Sequence, residues 1–168
     1  MRILILKMGT TEPSVVASHG DYDDWFREVL EDLGCEVSVA AVFEGADLAD
    51  HFVGDAILLT GSPLSVRDRE PWMQRVGEWS LRQAEKGYPV LGVCFGHQLL
   101  GECLGARVVE NPRGPEWGTI EVQSAPDWLF EGLPKRLIVQ ASHRDVLADA
   151  PEELRVLAWN DNTKLQAF

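Results

Sequence analysis

Apolar positions in the first hundred residues follow two alternating patterns. Ile3 to Leu6 is a short unbroken apolar run, the signature of a strand covered on both faces. A polar loop is expected from Gly9 to Gly20. From Asp21 onward, Tyr22, Trp25, Phe26, Val29, Leu30 and Leu33 share one side of a 3.6-residue period, which predicts an amphipathic helix. Asp21, Asp23 and Asp24 stand at its positive end and Gly34 at its stop, as helix electrostatics and termination favour. Val37, Val39 and Ala41 alternate with more polar neighbours and predict a second strand. Asp55 to Thr60 reads as a third strand closing on Gly61-Ser62-Pro63. A helix from about Pro71 to Lys86 carries Trp72, Val76 and Trp79 on one face, with Gly87 at its end. Pro89 to Val93 is a fourth strand and Gly96 to Leu104 another helix. Strands alternating with helices predict an α/β domain with a mostly parallel sheet.

The second half reads differently. Thr119 to Gln123, Leu137 to Gln140, Leu154 to Ala158 and Leu165 to Phe168 are short strand-like runs between Pro, Asn and Asp turns. One helical turn is expected around Asp127 to Phe130. These strands are expected to extend the sheet or to form a small antiparallel ribbon. No internal repeat, low-complexity tract or linker separates them, and 168 residues suit a single domain.

Composition narrows the function classes. Hydrophobic residues at 45% and charged residues at 25% are those of an ordinary globular protein. No apolar run reaches the roughly 18 residues of a membrane span, and Met1 to Lys7 is too short an apolar stretch for a secretory signal. A cytoplasmic address is therefore the default. The net charge of −12 argues against nucleic-acid binding through the phosphate backbone, which needs clustered basic residues. It leaves a small-molecule substrate or a protein partner. Six tryptophans leave room for an exposed aromatic interface, with a partner or a second copy of the chain. Cys35, Cys94 and Cys103 are an odd number at scattered spacings, matching neither a disulfide framework nor a paired metal site.

One stretch carries chemistry. Val90 to Val93 runs straight into Gly92-Val93-Cys94-Phe95-Gly96, and a helical pattern follows. This is the nucleophile-elbow arrangement with cysteine in the nucleophile's place. The turn is tight, so the residues two positions either side of the nucleophile must be small, and Gly92 and Gly96 meet that need. The sulfur then lies at a helix N-terminus, whose partial positive charge favours thiolate. The Phe95 N–H can face a developing oxyanion. Gly61, at the end of the third strand, would lie at the same sheet edge and can offer a second donor. Cys103 and Cys35 read as packing residues. His19 and His51 read as solvated loop residues. His97, three residues after Cys94, could share a metal with it, but no further ligands accompany the pair.

Gly92-Val93-Cys94-Phe95-Gly96-His97-Gln98 resembles the nucleophile motif of class I (triad) glutamine amidotransferases. Thr60-Gly61-Ser62-Pro63 resembles that family's oxyanion strand. Glu116-Trp117-Gly118 and Ala141-Ser142-His143-Arg144-Asp145 are similar to later landmarks of the branch near the GMP synthase glutaminase domain. The resemblance implies a flavodoxin-like three-layer sandwich in which Cys94 attacks the side-chain amide of L-glutamine through a γ-glutamyl thioester. It implies an oxyanion hole from Gly61 and Phe95, and glutamine held by Gln98 and the backbone around Ser142, His143 and Arg144. It implies no metal or organic cofactor, and ammonia passed to a synthetase partner or another acceptor. No Gly-x-x-x-x-Gly-Lys-Ser/Thr signature is present, so the synthetase chemistry is expected elsewhere.

Two departures stand out. The family usually has two adjacent glycines before the proline of the oxyanion strand, and here the second is Ser62. The family's base and its orienting acid lie in a His-Pro-Glu motif, and none occurs here. A cysteine nucleophile of this kind needs a positioned imidazole for proton transfer. His143 is the best placed of the four histidines, although the resemblance gives it a substrate-side role. The expectation is that the sequence is part of a longer amidotransferase whose final segment carries the His and Glu. A noncatalytic amidotransferase-like binding module and a related thiol hydrolase of γ-glutamyl substrates remain open alternatives.

Overall fold

The computed structural model describes residues 1–168. Its chain divides into two compact units, Met1–Cys103 and Leu104–Phe168.

The first unit is built on a four-stranded parallel sheet. Its strands are β1 (Arg2–Lys7), β2 (Glu36–Ala41), β3 (Ala56–Leu59) and β4 (Val90–Gly92), in the order β2-β1-β3-β4. Ile5 is in register with Val39 on one side and Leu58 on the other. Four helices join them: α1 (Pro13–His19), α2 (Tyr22–Asp32), α3 (Pro71–Glu85) and α4 (Phe95–Cys103). Side chains alternate across the strands, so Ile3, Ile5 and Leu58 share one face. Phe26 and Leu30 of α2 cover that face. Leu59 points the other way and meets α4 at Gly96. Helices on both faces make the first unit the α/β sandwich that the alternation predicted.

Three details differ from the expected pattern. Residues 13–19 form α1 rather than loop, because Pro13 sits at the first helical position and Gly20, at φ +76°, ends the helix. No residue of α1 is buried, which is why it has no apolar stripe. His19 is thus a helix end, not a loop residue, and its Nδ1 lies 2.7 Å from Ser18 Oγ. In α2 the buried face is narrower than the stripe: Phe26 and Leu30 pack on the sheet, while Val29 and Leu33 are exposed. Leu104, expected as the last residue of α4, lies beyond that helix and is exposed.

The second unit is antiparallel. It contains β5 (Arg107–Glu110), β6 (Glu116–Ser124), β7 (Arg136–His143), β8 (Asp145–Ala148) and β9 (Ala158–Trp159). β5 pairs with β8, and β7-β6-β9 form a three-stranded sheet. The longest ladder runs from Glu116–His143 to Gln123–Arg136. The expected turn is present at Trp128–Phe130, where the Asp127 carboxylate accepts from the Leu129 N–H. The expected strand at Leu154–Ala158 shrinks to β9, and Leu165–Phe168 contributes a single bridge between Ala167 and Ala158. Pro151 and the turns after it break the run before a ladder can form. No helix is long and apolar enough to cross a membrane.

Candidate active site

The end of β4 enters α4 through two residues, Val93 and Cys94, and the φ of Cys94 is +52°. A side chain in this left-handed region costs about 1–2 kcal/mol, so the surrounding structure must hold the turn in place. Two hydrogen bonds do so. The Val93 N–H donates to the Leu59 carbonyl at 3.0 Å, and the Gly96 N–H reaches the Thr60 carbonyl at 3.2 Å. Both acceptors belong to β3 or its end, so the elbow is stitched to the strand that carries Gly61.

The two flanking glycines are sterically required. A β-carbon on Gly92 would lie 2.5 Å from the Gly96 carbonyl carbon and oxygen and 2.7 Å from the His97 nitrogen. One on Gly96 would lie 2.6 Å from Leu59 Cβ. Phe95 sends its ring into the core, stacked on Trp72 at 6.0 Å between ring centres. As the first residue of α4, its N–H has no acceptor within the helix. Cys94 itself is exposed. Gln98, one turn into α4, is buried, and its N–H donates to the Cys94 carbonyl at 3.0 Å. Cys103 is inert by comparison: burial, with the nearby charges of Glu102 and Glu78, pushes its thiol up to about 11.

Gly61 lies beside Cys94. A β-carbon built on it would rest 3.7 Å from Cys94 Cβ and 3.8 Å from Tyr22 Cε1. Buried Thr60 fixes the approach: its hydroxyl accepts from the Met8 N–H at 3.0 Å and donates to the Gly61 carbonyl at 2.9 Å. Ser62, the departure from a second glycine, is accommodated by Gly9. A β-carbon at position 9 would lie 2.4 Å from Ser62 Oγ and 3.1 Å from Pro63 Cδ. The extra hydroxymethyl group thus occupies space that Gly9 leaves empty.

A charged cluster that the sequence reading missed lies at the end of β1. Lys7 Nζ lies 2.7 Å from Asp21 and 2.9 Å from Asp23. Asp21 also caps α2, accepting from the Thr11 N–H at 2.9 Å and the Tyr22 N–H at 2.8 Å. Burial alone would raise the Asp21 pKa, but Lys7 and the two backbone donors outweigh it and hold the carboxyl below its ordinary value. Burial likewise opposes the charge on Lys7, and the two carboxylates reverse that effect and raise its pKa. Two of the acidic residues read from sequence as helix-end charges, Asp21 and Asp23, are therefore also the partners of one lysine.

In the second unit, Ser142 and His143 end β7, and Arg144 follows before β8. His143 Nδ1 lies 3.2 Å from the Asp145 carbonyl and its Nε2 lies 3.3 Å from Glu116 Oε2. Glu116 is a buried hub: it accepts from Thr163 Oγ1 at 2.5 Å, Asn160 Nδ2 at 2.6 Å and Gln166 Nε2 at 2.8 Å. Burial favours its neutral form, but these donors and the nearby His143 prevail and hold its pKa below the ordinary 4.5. Sequence reading found Glu116 only as a landmark. Its partners lie 44 to 50 residues away, so no local pattern announces them.

Glu116→Gln replaces one acceptor oxygen with a donor that faces other donors. The expected cost is about 2 kcal/mol, read as a lowered denaturation midpoint. Because the folded-state pKa of Glu116 is depressed, its contribution is present above about pH 4.5 and is lost as pH falls through the folded value. The variant's stability should therefore fall less steeply than the wild type's below that pH. Parallel pH–stability curves would contradict the assignment.

The fold and the elbow together define a class of protein. The family model for glutamine amidotransferase class-I matches residues 15–168, and the chain belongs to that family of glutamine-hydrolysing enzymes. Among its relatives, a subunit of the glutamine-hydrolyzing GMP synthase of Saccharolobus solfataricus is 30% identical over 150 residues, covering 89% of this chain and 77% of that protein. The corresponding GMP synthase subunit of Archaeoglobus fulgidus is 29% identical over 155 residues, covering 92% and 79%. A glutamine amidotransferase from Thermotoga maritima shares the fold, with a TM-score of 0.82 at 20% identity over 99% of this chain and 70% of that one.

Proposed function

We propose that this chain is the glutaminase component of an amidotransferase, with Cys94 as nucleophile and a separate synthetase as acceptor of the ammonia. The observation that carries the reading is the exposed Cys94 at φ +52°, held between Gly92 and Gly96 and flanked by Gly61. The thiolate attacks the side-chain amide carbon of glutamine, and the N–H groups of Gly61 and Phe95 receive the oxyanion. The carbon–nitrogen bond then breaks, ammonia leaves with a proton delivered by a general acid, and a thioester remains. Water cleaves the thioester to glutamate and restores the thiol. Gln98 is assigned to holding glutamine.

His143 is hydrogen-bonded through Nδ1 to the Asp145 carbonyl, and its buried Nε2 faces the Glu116 carboxylate, which suits a fixed positioning group better than a proton shuttle. The proton-transferring imidazole is therefore assigned to a residue outside these 168. The similarity to GMP synthase subunits supports a nucleotide-aminating synthetase as the partner and a cytoplasmic setting.

Mass spectrometry after treatment with the glutamine analogue diazo-oxonorleucine tests the reading. Cys94 should be labelled in the complete protein and far more slowly in the 168-residue chain. Equal rates would place the base within these residues, and no label on Cys94 in either would overturn the nucleophile assignment.

A further inference from the structure

Nothing in the surrounding packing requires position 61 to be glycine. Its backbone lies outside the left-handed region, and a β-carbon there would meet its neighbours only at ordinary contact distances of 3.7 Å and beyond. Gly92 and Gly96 are different, since a β-carbon on either collides with backbone. What Gly61 leaves open is a methyl-sized space bordered by Cys94 Cβ and the Tyr22 ring.

We infer that the Tyr22 ring is a positioning residue for the reaction, a wall bordering the same space at Gly61 as Cys94, which keeps the reacting carboxamide against the oxyanion donors. This rests on the proposed roles of Cys94 and Gly61 and adds a residue to them. Tyr22 is well held for the task. It is the first residue of α2, and its N–H donates to Asp21, the carboxylate fixed by Lys7 and the Thr11 N–H. Its ring packs edge-to-face on Trp25 at 5.3 Å between centres. The Trp25 indole in turn donates to the His19 carbonyl at 2.6 Å. The wall is thus braced from both the end of β1 and the end of α1. A wall held this firmly narrows the positions open to the substrate, and small misplacements of a reacting group are costly.

The test compares Tyr22→Ala and Tyr22→Phe in the complete protein. Glutamine hydrolysis by Tyr22→Ala should show kcat reduced by a factor of about 10 to 100, with KM changed by less than about threefold. Tyr22→Phe keeps the ring and should restore kcat to within about twofold of wild type. Alkylation of Cys94 by iodoacetamide, which needs no oxyanion hole, should proceed at the wild-type rate in both variants. A fall in alkylation parallel to the fall in kcat would show general disruption and overturn the inference. So would a Tyr22→Ala enzyme with wild-type kcat, or a Tyr22→Phe enzyme as poor as Tyr22→Ala. Cys94→Ala run beside them separates the two levels: retained hydrolysis there removes the nucleophile assignment and this inference with it.

Discussion

Cys94→Ala should hydrolyse glutamine at least about a thousandfold more slowly than the wild-type protein and unfold within about 2 °C of it. The two halves of this expectation have separate causes. In the proposed mechanism the thiolate is the group that forms the new bond, and alanine offers nothing to replace it at that point. The side chain is exposed, so truncation leaves no cavity and removes little packing. Alanine also keeps the β-carbon at φ +52°, so the strain of the turn is unchanged. Cys94→Gly removes that strain, at the cost of a more flexible unfolded chain. It should be equally inactive and more stable than Cys94→Ala by about 0.5 kcal/mol. Ammonia release and thermal unfolding of the three proteins check both halves. A Cys94→Ala protein with more than about a hundredth of wild-type activity would contradict the expectation.

The parts of the molecule legible in its sequence are those where one physical demand dominates. Parallel strands covered on both faces must be apolar throughout, so Ile3 to Leu6 and Ala56 to Leu59 announce themselves. The elbow is legible because two backbones approach within contact of Gly92 and Gly96, and only glycine fits. The illegible parts depend on partners distant in sequence. β5 and β8 are four residues each, and they become strands only by pairing with one another across the intervening chain. Leu154 to Leu157 has the right residues for a strand, but its only ladder partner in this sheet, β6, meets β9 at Ala158 and Trp159. The site divides in the same way. Cys94 and Phe95 follow from local spacing and Gln98 from the family resemblance, whereas Tyr22 becomes relevant only when α2 brings it to Gly61. The Lys7–Asp21–Asp23 cluster likewise needs β1 and α2 side by side.

The same steric contrast yields the second large effect. Gly92→Ala should destabilise the protein by about 3 kcal/mol or more and abolish selective labelling of Cys94 by the glutamine analogue. The added methyl group would have to occupy space 2.5 Å from the carbonyl of Gly96. That carbonyl belongs to the first turn of α4, and α4 cannot retreat freely. Gly96 is pressed against Leu59, and its N–H is bonded to the Thr60 carbonyl. Relief therefore requires β4 and α4 to separate, which breaks the link between the elbow and the Gly61 strand. Gly61→Ala is the instructive comparison. Its methyl group fits at contact distance, so this variant should fold with near-wild-type stability and still lose glutamine-dependent labelling, because the methyl fills the space bordered by Cys94 and Tyr22. Denaturation curves and labelling rates for the two variants separate a glycine demanded by packing from one demanded by substrate. A Gly92→Ala protein with wild-type stability, or a Gly61→Ala protein labelled at the wild-type rate, would show that the corresponding demand does not exist.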